Sequence, residues 1–119
     1  MRDIIGIGAD LEEVSRLAHL KKPTLQRVFT AAELEYCLAS KPAAAQRLAA
    51  RWAAKEAVIK ALPFDGIALK KIEIIKDKSG KPAAVVHDSR AKNISFKLSL
   101  SHTKKYAVAF VIACGSVGK

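Results

Sequence analysis

The sequence predicts an α+β domain in which a mainly antiparallel sheet packs against one long helix. Three observations carry this expectation. Residues 43–62 are rich in Ala, Leu, Arg, Lys and Glu and contain no Gly or Pro. After Pro63 the apolar period changes from about 3.6 to about 2. The chain then closes with two apolar segments joined by a short polar turn.

Residues 4–10 form a β-branched run broken by Gly6 and Gly8, which reads as a first strand ending near Asp10. Leu11, Val14, Leu17 and Ala18 then recur at helical spacing, so a helix is expected from Leu11, with Pro23 closing it or restarting the chain. Thr30-Ala31-Ala32-Glu33 fits a capping box, which starts a second helix over 31–39. Ser40-Lys41-Pro42 precedes the long third helix, ended by Pro63 and Gly66. Ile72 and Ile74 alternate with polar neighbours, Asp77-Lys78-Ser79-Gly80 makes a turn, and 82–86 returns as a strand. Ile94, Phe96, Leu98 and Leu100 alternate with polar residues, as in a strand with one buried face. Residues 106–113 are uniformly apolar and read as a central strand.

The 119 residues suffice for one domain, taken as 1–119, which buries roughly two-thirds of its unfolded surface. Half the residues are apolar, which excludes a disordered basic tail. The longest apolar run, 106–114, is too short for the ~20 residues that cross a bilayer, and the amino-terminal segment lacks signal-peptide form. Cytoplasm is the expected compartment. Cys37 and Cys114 have no metal or disulfide spacing and read as buried apolar residues. Lys and Arg number 21 against 11 Asp and Glu, a net charge of +10 that calls for an anionic partner: nucleic acid, lipid, a phosphorylated small molecule or an acidic protein.

Three segments carry chemistry. On the long helix Trp52, Glu56 and Lys60 share one face, and Arg47, Arg51 and Lys55 line the neighbouring stripe. Taken alone, Glu56 and Lys60 are a solvated i, i+4 pair. Gly8-Ala9-Asp10 sets a carboxylate at a strand mouth, where Asp10 alone is equally a helix cap. Together, a strand-end Asp and a helix Glu flanked by Lys and Arg have the composition of a magnesium and phosphate site. Finally, Ser101-His102-Thr103-Lys104-Lys105 joins the last two strands, either as a phosphate-binding turn or as an ordinary hairpin loop.

These segments also resemble a known family. Gly6-Ile7-Gly8-Ala9-Asp10-Leu11 with Arg16, Arg51-Trp52-Ala53-Ala54-Lys55-Glu56-Ala57 with Lys60, Gly80-Lys81-Pro82, and the run from Leu98 through Ser101-His102-Thr103 to Ala107 closely resemble the holo-acyl-carrier-protein synthases. These are the small bacterial 4′-phosphopantetheinyl transferases, and the similarity runs in order along essentially the whole chain.

The resemblance implies a Mg²⁺-dependent transferase of fatty acid and lipid metabolism. It moves phosphopantetheine from coenzyme A to a serine of apo acyl carrier protein and releases adenosine 3′,5′-bisphosphate. It implies Asp10 and Glu56 as metal ligands and Lys60 as the group that stabilises or protonates the leaving phosphate. Arg51, Lys55, Lys60, Ser101, His102 and Thr103 are implied to hold coenzyme A. The base is Glu56 through a metal-bound water, or His102. Arg16, with Lys21, Lys22 and Arg27 as companions, is implied to dock the acidic carrier protein, and the family implies a homotrimer with sites between subunits. The chain departs from many relatives after the long helix, where 62–67 keeps a single glycine. The rival reading of a nucleic-acid binder lacks an aromatic platform: the seven aromatics are not interleaved with basic residues. A catalytically dead scaffold is disfavoured by the joint presence of Asp10, Glu56, Lys60 and His102.

Overall fold

A computed structural model describes residues 3–115. Strand β1 (Asp3–Glu13) leads into helices α1 (Val14–Ala18), α2 (Lys22–Val28), α3 (Ala31–Leu38) and α4 (Lys41–Ala61). Strands β2 (Ile72–Lys76), β3 (Pro82–Val86), β4 (Ser95–His102) and β5 (Tyr106–Gly115) follow, with short 3-10 turns at Leu69–Lys71 and Ser89–Ala91. All strand pairs are antiparallel: β1-β5-β4 forms one sheet and β2-β3 a second. The expected α+β class and the central place of the last strand are both found.

The first strand is longer than expected. Leu11 does not begin a helix; it pairs with Val108 in the β1–β5 ladder, and the helix starts only at Val14. Asp10 therefore lies within a strand, opposite Ala109, and caps nothing. Pro23 opens a separate helix, α2, in its first turn, where the missing N–H has no partner to lose. The capping box is present as expected, with the Thr30 hydroxyl accepting from the Glu33 amide at 3.2 Å and Glu33 Oε1 accepting from the Thr30 amide at 2.8 Å. Between β2 and β3, Asp77 Oδ1 accepts from the amides of Ser79 and Lys81, and Gly80 takes φ +86°, the left-handed conformation that suits glycine.

Helix α4 lies across the inner face of β1 and β5. Its buried face is mostly alanine, packed against Ala109, Val111 and Ala113. A second cluster gathers Val14, Leu17, Leu25, Val28, Phe29, Cys37 and Leu48. Within it, burial pushes the Cys37 thiol up to about 11. Cys37 is thus almost wholly protonated at pH 8, and thiol labelling there is expected only at the rate of unfolding. Labelling of the native chain within minutes would contradict this. Cys114 is half-buried.

Candidate active site

Two groups of chemically active side chains flank α4. The first is acidic. Lys60, on the last turn of α4, reaches β1, with Nζ 3.0 Å from the Ala9 carbonyl and 3.3 Å from Asp10 Oδ1. Glu56, one turn earlier, accepts a hydrogen bond on Oε2 from Trp52 Nε1 at 3.3 Å. The sequence pairing of Glu56 with Lys60 is thus replaced by Trp52–Glu56 and Asp10–Lys60. Gly6 and Gly8 make this approach possible: a Cβ at Gly8 would lie 1.9 Å from the Ala57 carbonyl oxygen, and one at Gly6 1.9 Å from that of Ala61.

Glu12, two residues beyond Asp10 on the same strand face, joins the group with no local signal in the sequence. It pairs with Arg16 at 2.5 Å, and the Arg16 guanidinium lies 4.6 Å from the Trp52 ring centroid. Burial, and then the neighbouring Asp10 carboxylate, raise the Glu12 carboxyl above its ordinary range.

Asp10 Oδ2 is buried with no hydrogen-bond partner, an acceptor left open toward a cation. Among the described residues no cluster of three or more His, Cys, Asp or Glu forms a complete metal cage. A buried carboxylate with an open oxygen fits Mg²⁺, which takes one or two protein carboxylates and fills its octahedron with water and phosphate oxygens.

The second group is basic. A cavity of about 380 Å³ is lined by Tyr36, Arg51, Lys76, Lys81 and residues 98–100 of β4. Arg51 is 7% exposed, and its Nε has no partner. Tyr36 collects three cations over its ring, with Arg47, Arg51 and Lys76 at 4.4, 4.1 and 4.6 Å from the centroid. The Lys76 hydrogen bond, assisted by the charge of Arg51 and Arg47, lowers the Tyr36 hydroxyl below its ordinary value. Tyr36, Lys76 and Lys81 were not singled out as site residues from sequence, although Gly80-Lys81-Pro82 belongs to the family resemblance.

Ser101 and His102 end β4, exposed beside this cavity. Thr103 Oγ1 accepts from the Lys105 and Tyr106 amides at 3.2 and 3.1 Å, which fixes the turn and leaves its hydroxyl hydrogen to donate. The acidic group lies elsewhere. His102 pairs with Ala107, and Ala107 with Glu12, so the turn and the Asp10 strand are two strand spacings apart, roughly 10 Å within one chain.

The expectation that Lys55 holds coenzyme A is corrected. Its side chain is fully buried and paired with Glu33 at 2.7 Å, so its ammonium cannot meet a solvent-borne phosphate. Burial lowers its pKa, against the opposing pull of Glu33. Arg16, Lys21, Lys22 and Arg27 are all exposed along α1 and α2.

An antiparallel α+β domain carrying these two groups has clear relatives. A sequence profile of the 4′-phosphopantetheinyl transferase superfamily matches residues 6–111. The chain is 43% identical to the holo-[acyl-carrier-protein] synthase of Gloeobacter violaceus, over 92% of each chain. It is 42% identical to that of Treponema denticola, over 94% of this chain and 99% of the relative. The crystal structure of a holo-(acyl-carrier-protein) synthase from Bacillus anthracis in complex with CoA (3′,5′-ADP) superposes with a TM-score of 0.83 at 31% identity, covering 98% of this chain and all of that one. The chain therefore belongs to the 4′-phosphopantetheinyl transferase superfamily, among the holo-[acyl-carrier-protein] synthases, and is an enzyme of that class.

Proposed function

We propose that this chain, as a single domain over residues 1–119, transfers 4′-phosphopantetheine from coenzyme A to a serine hydroxyl of apo acyl carrier protein. Mg²⁺ is the cofactor, adenosine 3′,5′-bisphosphate the second product and the cytoplasm the compartment. The observation that carries this reading is the buried, unpartnered Asp10 Oδ2 beside Lys60, in a chain that also holds a basic cavity around an unpartnered Arg51 Nε. The Bacillus anthracis relative is described with CoA (3′,5′-ADP), and the Helicobacter pylori holo-[acyl-carrier-protein] synthase, TM-score 0.78, with coenzyme A.

In this reading Asp10 and Glu56 would hold Mg²⁺, which when bound would supply charge neutralisation at the pyrophosphate. Arg51, Ser101, His102 and Thr103 hold coenzyme A phosphates, with Lys76 and Lys81 added from the cavity lining. The serine oxygen bonds to the phosphorus that bears the pantetheine arm, and the bond from that phosphorus to the bridging oxygen breaks. Lys60 stabilises the leaving phosphate oxygen or gives it a proton. Glu56 takes the serine proton through a water, with His102 as the alternative base. Chromatography of the small-molecule products tests the finer chemistry: adenosine 3′,5′-bisphosphate should form in step with carrier modification and stop when Mg²⁺ is chelated. Undiminished release in chelator would contradict the magnesium assignment.

The homotrimer is part of the proposal. One face of the β1-β5 ribbon exposes Ile4, Ile7, Leu11, Phe110 and Ile112, an apolar surface of the kind that subunit contacts cover. The separation of the basic turn from Asp10 within one chain supports a site completed by a neighbouring subunit. Light scattering should return three times the chain mass; a monomer at assay concentration would count against it.

Exposed Arg16, Lys21, Lys22 and Arg27 supply a positive rim for an acidic carrier. Arg16→Ala should raise KM for the carrier about tenfold with little change for coenzyme A, an effect that shrinks as salt rises. Equal losses for both substrates would oppose the docking role.

A further inference from the structure

The face that α4 turns inward is built largely of alanine: Ala49, Ala50, Ala53, Ala54, Ala57 and Ala61 are all buried. Methyl groups allow close approach, but they present no deep ridges to fix how a helix is rotated about its axis. Directional contacts come from α3, in addition to those Lys60 makes with β1. Glu33 and Tyr36 lie three residues apart on α3, and they meet Lys55 and Arg51, four residues apart on α4. Two points on one helix thus hold two points on the other.

The Glu33–Lys55 pair is the more constrained of the two. Its side chains are 1% and 0% exposed. Lys55 has three N–H donors, and each finds an acceptor: Glu33 Oε1 at 2.7 Å, the Leu69 carbonyl at 3.1 Å and the Ile72 carbonyl. Glu33 in turn accepts from the amides of Thr30 and Ile74, both at 2.8 Å. Helix α4 is thereby tied to the start of α3, to the turn before β2 and to β2 itself. A buried ion pair adds little stability over a well-packed apolar pair, so stability alone does not account for this one; unlike apolar contacts, it is strongly directional. Glu56 follows Lys55 directly, Lys60 lies just over one turn beyond, and Arg51 is one turn before.

We propose that Glu33 and Lys55 are positioning residues for the transfer reaction. Their buried pair sets the rotation of α4, and so directs Glu56 and Lys60 toward Asp10 and Arg51 toward the basic cavity. This rests on the functional reading above and extends it to residues that touch neither substrate.

The test uses the double variant Glu33→Gln with Lys55→Met, which removes both charges while keeping similar volumes. Mn²⁺ is titrated by electron paramagnetic resonance, and coenzyme A by calorimetry. Trp52, the single tryptophan and one turn before Glu56, reports on the helix by fluorescence. A cooperatively melting double variant should lose about tenfold in affinity for both Mn²⁺ and coenzyme A, as disturbed supporting residues do, while carrier affinity stays within about twofold. Its Trp52 emission should shift. A folded double variant with parental Mn²⁺ and coenzyme A affinity would overturn the proposal. Should the double variant fail to fold, Glu33→Gln alone, an isosteric change, must show a smaller loss in the same direction; unchanged affinities there overturn it equally. If the parent chain binds neither Mn²⁺ nor coenzyme A, the functional reading falls and takes this proposal with it. Parental binding with unaffected variants removes the positioning role alone.

Discussion

Asp10→Ala and Glu56→Ala are each expected to lower kcat by about a hundredfold or more, the scale seen when a group stabilising the transition state is lost. Neither change should unfold the chain. Asp10 Oδ2 is a buried acceptor without a partner, a state that costs about 1–3 kcal/mol. Among the described residues the only ion pair Asp10 makes is with Lys60, whose side chain is 55% exposed, and such a contact contributes little. Asp10→Ala should therefore melt at or above the parental temperature while Mn²⁺ affinity collapses. Near-normal turnover of either variant at low Mg²⁺ would remove the metal assignment, and a large loss of stability in Asp10→Ala would show that the carboxylate serves the fold.

Gly8→Ala is expected to cost about 3 kcal/mol or more in urea unfolding, at the upper end of what overpacking produces. The added Cβ would sit 1.9 Å from the Ala57 carbonyl oxygen and 2.9 Å from its carbonyl carbon. Both neighbours are backbone, so no side chain can rotate away; β1 and α4 must separate. That separation moves Glu56 and Lys60 away from Asp10, so whatever fraction stays folded should also lose activity. A variant that melts and turns over like the parent would mean that β1 and α4 are not packed as closely as described.

Features decided by neighbours in sequence were readable. The Thr30–Glu33 capping box, the Asp77–Gly80 turn and the long α4 each follow from residues within a few positions of one another. Features decided by distant partners were not. Leu11, Val14 and Leu17 have helical spacing, yet Leu11 is held in β1 by its pairing with Val108 nearly a hundred residues away. Its apolar side chain faces outward, where the expectation of a buried helix face gave no reason to place it. Lys55 shares a stripe with Arg47 and Arg51, which made it look like a phosphate ligand. That stripe faces α3, and Glu33, already assigned to the cap, is also the counter-ion that draws Lys55 inside. Tyr36 and Lys76 had no local signal at all, because only the meeting of α3, α4 and β2 makes them line one cavity. Asp10, Glu56 and Lys60 stand out in the sequence only through motif resemblance, and the contact of Lys60 with Asp10 spans fifty residues of sequence.

In the proposed function the charge of +10 serves two surfaces. One, around Arg51, Lys76, Lys81 and the 101–103 turn, suits phosphates. The other, along α1 and α2, suits an acidic protein. Both uses are anionic, so only the identity of the modified molecule separates this enzyme from a general polyanion binder. The decisive measurement is the intact mass of apo acyl carrier protein after incubation with the chain, coenzyme A and Mg²⁺. A gain of one phosphopantetheine arm on a single serine is expected, slowed about a hundredfold or more in Asp10→Ala. No mass gain with several carriers, alongside tight salt-sensitive binding to DNA, would contradict it.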